Sequence, residues 1–268
     1  MADILNLRSG RAPVLKQSQQ TTKASDTHDS QTEARGESEN PDKILRFRPS
    51  ERILHWSIAV PFMLCYATGI VLMTCFPLRS SGVSRGLLSW THKGGGALMI
   101  LLPALTAIMN WRDRKIHFYN IGQAWSWAAQ DLKWLILMGA AAVSRKITLP
   151  DQGKFNAAEK LNFMMVMCTY PFFILTGVLM WLPDSIVLFW MVHVGLALLA
   201  TPLMLGHIYM ALINPSTRVG LSGMISGYVD RRWSEHHYGR WYREQTGGDA
   251  TRTGDAVKAE KRGLRSLK

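Results

Sequence analysis

The chain has 268 residues, with 31 Lys and Arg against 19 Asp and Glu, a formal net charge of +12 and a mean hydropathy of zero. That average hides a division: residues 1–42 are polar and rich in Ser, Thr, Gln, Lys and Asp, residues 247–268 are similar, and both read as disordered tails that bury too little apolar surface to offset the entropy of ordering. What remains, 43–246, is so apolar that a membrane protein fits it better than a soluble one; its basic residues gather at the edges of apolar stretches, which speaks for lipid headgroups and against nucleic acid.

The first segment, "MADILNLRSGRAPVLK", lacks the continuous apolar run and small-residue cleavage site of a secretion signal, so the N-terminal tail is expected to stay on the side where it is made. Four stretches of spanning length follow, at 53–76, 87–109, 160–182 and 185–213, each near or above the roughly 20 residues that a bilayer requires. Pro61, Pro103, Pro171 and Pro202 lie one in each and are read as kinks, since neighbouring groups in a helix bundle can satisfy the carbonyls that proline frees.

Between the second and third spans, "IGQAWSWAAQDLKWLILMGAAAV" (121–143) has too short an uninterrupted apolar run to cross. Ile121, Trp125, Ala128, Leu132 and Leu135 recur at helical spacing, which predicts one amphipathic helix lying in the membrane surface. The expected architecture is therefore all-α: an integral membrane four-helix bundle with an interfacial helix. Cys65, Cys75 and Cys168 all fall in apolar stretches without a CxxC or CxxCH pattern and are read as small buried hydrophobes, with neither a zinc site nor covalent haem attachment.

Lys43, Arg46, Arg48 and Arg52, the cluster from Arg112 through Arg145 to Lys154, and Arg218, Arg231, Arg232, Arg240 and Arg243 all fall on one side of a four-span topology. The other side has Arg79 and Arg85, and the Pro183-Asp184 turn has no basic residue. The positive-inside rule then puts both termini in the cytoplasm. A faint internal repeat aligns 51–73 with 159–180 at Glu51/Glu159, Arg52/Lys160 and Thr68-Gly69/Thr176-Gly177, with Phe163 in the place of His55.

Of eight histidines, His28, His117, His236 and His237 need no more than a solvent-exposed role, whereas His55, His92, His193 and His207 are in the spans. An ionisable group at membrane depth is by default a functional hypothesis. On the fourth span, His193 and His207 are separated by about 1400° of helix, about 40° short of four turns, and by about 21 Å of rise, so they share a face at two depths. Depth pairs His55 with His207 on the inner side and His92 with His193 on the outer side. Facing imidazoles across a bundle are what six-coordinate b-type haem requires, and Gly94, Gly95, Gly96, Gly195 and Gly206 beside them leave room for a flat macrocycle. Helix-to-helix hydrogen bonding is the competing reading for any single membrane histidine; four at matched depths favour ligation.

The segments "ERILHW", "LLSWTHKGGGAL" and "DQGKFNAAEKLNF", the His193-to-His207 spacing followed by "IYMAL", and "GMISGYVDRRWSEHHYGRWYRE" resemble the gamma, or cytochrome b, subunit of respiratory membrane-bound formate dehydrogenases, over roughly residues 45 to 245. The resemblance assigns two haem b groups, one to His55 and His207 near the cytoplasm and one to His92 and His193 near the outside. It also implies a quinone, menaquinone or ubiquinone, at the inner haem beside His207 and Asn156; this chain has Ala158 where the family has glycine. Its implied partners are an iron–sulfur beta subunit on the outer face and a molybdenum- or tungsten-containing catalytic alpha subunit, in a bacterial cytoplasmic membrane. The chain itself has no cysteine motif for iron–sulfur clusters and is not expected to oxidise formate alone. The cytochrome b subunit of another quinone-linked oxidoreductase, a hydrogenase or thiosulfate-type reductase, is the alternative, and a haem-free transporter or scaffold is a further one.

Overall fold

A computed structural model describes residues 41–74, 84–144, 146–182 and 186–247. The expectations for the two tails, for Cys75, Arg79 and Arg145 and for the Pro183-Asp184 turn lie outside the described residues.

Four helices are long and apolar enough to cross a membrane. They are α1 (Pro49–Thr74), α2 (Arg85–Met109), α5 (Ala157–Leu179) and α6 (Val187–Ile208), the last prolonged by a π-helical turn, Tyr209–Ile213. Their surfaces carry exposed Val60, Ile70, Leu101, Ile108, Phe172, Leu175, Leu198 and Leu199. In water such a surface would be untenable; in hydrocarbon it is the solvent-matched one, so helices that are apolar all round define a multi-pass membrane protein. Each proline falls inside its helix as expected.

α1 packs along α2, α5 packs along α6, and α2 touches α5. Polar side chains fasten the pairs to one another. Thr201 Oγ1 donates to Ala197 O at 2.7 Å and accepts from the Tyr66 hydroxyl at 2.7 Å, joining α1 to α6, and the Tyr170 hydroxyl donates to Met99 O, joining α5 to α2. In lipid, where apolar contact gives no hydrophobic driving force, such interhelical bonds and close packing carry the association.

The connection departs from expectation. Instead of one helix over 121–143 there are two, α3 (Arg114–Trp125) and α4 (Ala129–Val143), preceded by a 3-10 turn, Trp111–Asp113. Asp131 causes the break: its carboxylate accepts from the Ala128 N–H at 2.9 Å and pairs with Lys160 Nζ at 2.9 Å, while Ser126 O accepts from the same ammonium. A carboxylate satisfied by the preceding backbone belongs at a helix start. The buried face is Asn120, Ala124, Asp131 and Trp134, and the expected apolar stripe at Trp125, Ala128 and Leu132 is exposed.

A second departure is a small polar cap. Strand β1 (Lys43–Leu45) pairs antiparallel with β2 (Tyr228–Asp230), Ile44 opposite Val229. Around this ribbon fold a 3-10 turn (Arg218–Gly220) and short helices α7 (Leu221–Ile225), α8 (Arg231–His237) and α9 (Gly239–Gln245), so Ile44, Val229, Tyr238 and Trp241 form a buried cluster of their own. Gly227, at φ 95°, turns the chain into β2; an added Cβ would lie 2.7 Å from Phe47 O, so both conformation and space demand glycine. Of the cysteines described, Cys65 is half-buried but Cys168 is exposed on the apolar surface, against the expectation of burial; lipid serves a thiol at that position as well as a protein core would.

Candidate functional site

Two pairs of imidazoles face each other across the bundle. His55 of α1 and His207 of α6 have ring centroids 6.4 Å apart with planes at 54°, and His92 of α2 and His193 of α6 have centroids 6.2 Å apart with planes at 70°. A metal–imidazole bond of about 2 Å, plus about 1 Å from nitrogen to ring centre, puts two rings on opposite sides of one ion with centres about 6 Å apart. Both pairs meet that separation. Among the described residues no group of three or more His, Cys, Asp or Glu could hold a bare metal ion. Two nitrogens with four further positions to be supplied by a macrocycle is the donor set of haem iron.

The glycines divide. A methyl added at Gly94, Gly195 or Gly206 would meet no protein atom within 4 Å, so these positions keep the flanks of the histidines slim. Gly95 faces α1, where a Cβ would come 2.7 Å from Cys65 Sγ; its want of a side chain lets the two helices approach. Behind the second pair stand two buried threonines. Thr68 Oγ1 lies 3.0 Å from His92 Nδ1, and Thr176 Oγ1 lies 2.9 Å from His193 Nδ1. The adjoining glycines match as well: a methyl at Gly69 would touch Cε1 of His92 at 3.5 Å, and one at Gly177 would touch Cε1 of His193 at 3.6 Å. His55 Nδ1, in the other pair, is buried without a hydrogen-bond partner.

At the His55/His207 end, the starts of α1 and α5 are joined by a buried polar network. Asn156 caps α5: its Oδ1 accepts from the Glu159 N–H at 2.9 Å, Glu159 Oε2 accepts from the Asn156 N–H, and Asn156 Nδ2 donates to the Tyr238 hydroxyl at 3.3 Å. Glu159 Oε1 takes the Tyr238 hydroxyl at 2.8 Å and Arg46 Nη2 at 3.1 Å, and the Arg46 guanidinium lies 3.7 Å from the Tyr238 ring centre. Glu51 Oε1 accepts from Lys154 Nζ at 2.7 Å and from Asn120 Nδ2 at 2.5 Å. Burial pulls the Lys154 ammonium below the usual lysine range, with Glu51 opposing the shift. Burial also raises the Tyr238 phenol well above its ordinary value, which keeps it a hydrogen-bond donor at physiological pH.

The family model described as prokaryotic cytochrome b561 matches residues 46–227. The chain belongs to this family. Its members are b-type cytochromes, so the four apolar helices are those of a haem-carrying membrane protein of electron transport. The nitrate-inducible formate dehydrogenase cytochrome b556(Fdn) subunit of Escherichia coli K12 is 29% identical over 217 residues, covering 75% of this chain and 91% of the relative. The formate dehydrogenase cytochrome b556 subunit of Haemophilus influenzae is 26% identical over 227 residues, covering 77% and 85%. The putative cytochrome YdhU of E. coli K12 is 24% identical over 198 residues, covering 70% and 75%.

Within this cytochrome the structure brings the four histidines singled out in the sequence into two facing pairs, and it makes Asn156 the cap of α5, bonded to Glu159 and Tyr238. Thr68 and Thr176 were legible only as marks of a repeat. Arg46, Lys154 and Tyr238 carried no signal of their own, because charged and phenolic residues at a membrane edge ordinarily need no partner beyond headgroups and water. The expectation that His237 is simply exposed does not hold: it stacks on Trp233 with centroids 4.8 Å apart, and its Nδ1 lies 3.0 Å from Trp233 O. Burial holds its imidazole below the usual histidine range.

Proposed function

We propose that this chain is the membrane cytochrome b subunit of a formate dehydrogenase, passing electrons from an iron–sulfur subunit on the outer face to quinone on the cytoplasmic side. The observation that carries the two-haem reading is the pair of facing imidazole couples at two depths of one apolar bundle. The names of its relatives supply the formate dehydrogenase assignment. In this reading His92 and His193 hold the outer haem, and His55 and His207 hold the inner one. A b-type haem held by such a pair of imidazoles would supply reversible one-electron transfer.

The protein's own groups do the rest. Asn156 has a second amide N–H beyond the one given to Tyr238, and in this reading a quinone carbonyl accepts it. Glu159 and Lys154, in the polar network at the starts of α1 and α5, are the groups of that network that can take up and release protons. Molybdenum- or tungsten-dependent formate oxidation belongs to a separate subunit. A second reading, the cytochrome b subunit of a different quinone-linked oxidoreductase, is favoured by one observation: the likeness to YdhU, whose name specifies no dehydrogenase.

The test is a pyridine haemochrome assay on the membrane complex purified through this chain, together with identification of the co-purifying subunits. Two non-covalent haems per chain are expected, with one lost in His92→Ala and the other retained. No haem in protein made with ample haem supply would defeat the reading, and a catalytic subunit unrelated to formate would select the alternative donor.

A further inference from the structure

We propose that Thr68 and Thr176 are positioning residues for the haem assigned to His92 and His193, fixing both imidazoles with the proton on Nδ1 and the free lone pair on Nε2. The inference rests on the haem reading above and deepens it.

Donor bookkeeping decides the tautomer. A threonine hydroxyl has one proton to give. Thr68 Oγ1 lies 2.7 Å from Leu64 O and Thr176 Oγ1 lies 2.6 Å from Phe172 O, each the carbonyl one turn back, and a carbonyl can only accept. With both protons spent there, each hydroxyl oxygen faces its histidine as an acceptor, so His92 Nδ1 and His193 Nδ1 must be the donors at 3.0 and 2.9 Å. Nε2 is then deprotonated on both rings, which is the form a metal binds.

The two threonines are matched residues of the two halves of the chain, and each grips the histidine of the span that follows its own. Both side chains are buried, so water does not compete for the bond. A hydrogen bond from Nδ1–H to an acceptor makes the opposite nitrogen more basic, favours the ferric state and lowers the reduction potential. The other pair lacks this support at His55, whose Nδ1 is buried without a partner. The haem backed by the threonines should therefore be the lower-potential one, which sets the internal electron transfer downhill from the His92/His193 pair to the His55/His207 pair.

The test uses the intact purified complex with Thr68→Val, Thr176→Val, the double variant and Thr68→Ser. Haem content is measured by pyridine haemochrome and midpoint potentials by optical redox titration, with waves assigned from His92→Ala. Wild type must first show two haems, which tests the underlying reading separately. Each valine variant is expected to shift the His92/His193 wave upward, or to weaken retention of that haem by about 10- to 100-fold, the usual loss when an outer-shell partner of a metal ligand is removed. The other wave should stay in place, the two single effects should combine in the double variant, and Thr68→Ser should resemble wild type. Two bound haems with unmoved potentials in both valine variants would overturn the proposal, as would a haem lost in Thr68→Val and not restored by serine, since valine preserves the volume and serine preserves the hydroxyl.

Discussion

Asn156 has two duties that fall on the same side chain. Its oxygen closes the first turn of α5, and its amide is the group offered to quinone in the proposed function. The two can be separated because serine is nearly as good a helix cap as asparagine, whereas alanine at a cap costs about 1 kcal/mol. Asn156→Ser is thus expected to keep both haems and the melting temperature of the complex while quinone reduction falls by about tenfold or more, the scale of one lost hydrogen bond to a charge-bearing group. Steady-state reduction of a soluble quinone analogue reads the effect. Unaltered turnover in Asn156→Ser and Asn156→Ala alike would leave Asn156 as a cap and nothing more. The residue was legible in the sequence through its family setting; its reciprocal cap with Glu159 is a finding of the structure.

At the scale of elements, the chain is joined by residues that its two halves exchange. Arg46 and Lys154 are 108 residues apart, and the same spacing relates Phe47 to Phe155, Glu51 to Glu159 and Thr68 to Thr176. The cations cross over: Arg46 pairs with Glu159 of the second half, and Lys154 pairs with Glu51 of the first. Phe47 and Phe155 stack between them with centroids 6.5 Å apart. The repeat in the sequence is thereby given a structural meaning, two related helical hairpins that seal the ends nearer His55 and His207 against each other, although His55 has Phe163 at its counterpart and belongs to one half only. Periodicity and length made the four spans legible. The break between α3 and α4 was not, because it depends on Asp131 finding Lys160, a contact between residues remote in sequence. Lys154→Met should leave Glu51 as a buried charge that, among the described residues, keeps the Asn120 amide and the Arg48 N–H but loses its bonded ammonium, at a cost of about 3–5 kcal/mol. That corresponds to a fall of roughly 10 °C in the melting temperature, followed by the Soret band of the complex in detergent. Adding Glu51→Gln should recover part of the loss, since a neutral amide removes the unpaired charge. If the single variant melts with wild type, the pair does not hold the halves together.

For the whole molecule, the question is which way the bundle stands in the membrane. The polar cap, with Arg46, Lys154 and the starts of α1 and α5, gathers at the His55/His207 end, and basic residues concentrate on the cytoplasmic side of membrane proteins. In the proposed function this sets the energetics. Quinone reduction at His207 draws two protons from the cytoplasm for each electron pair, while formate oxidation releases its proton outside, so electrons moving inward along the bundle charge the membrane. Reporter fusions decide the orientation directly. A fluorescent protein joined after Gly247, or placed in the connection near Ser144, should fluoresce, and alkaline phosphatase at either place should be inactive. Alkaline phosphatase inserted between α1 and α2, near Ser84, should be active. The reverse pattern would put the His55/His207 pair outside and the His92/His193 pair, with the subunit that feeds it, on the cytoplasmic side; the same electron path would then run outward and discharge the membrane instead of charging it.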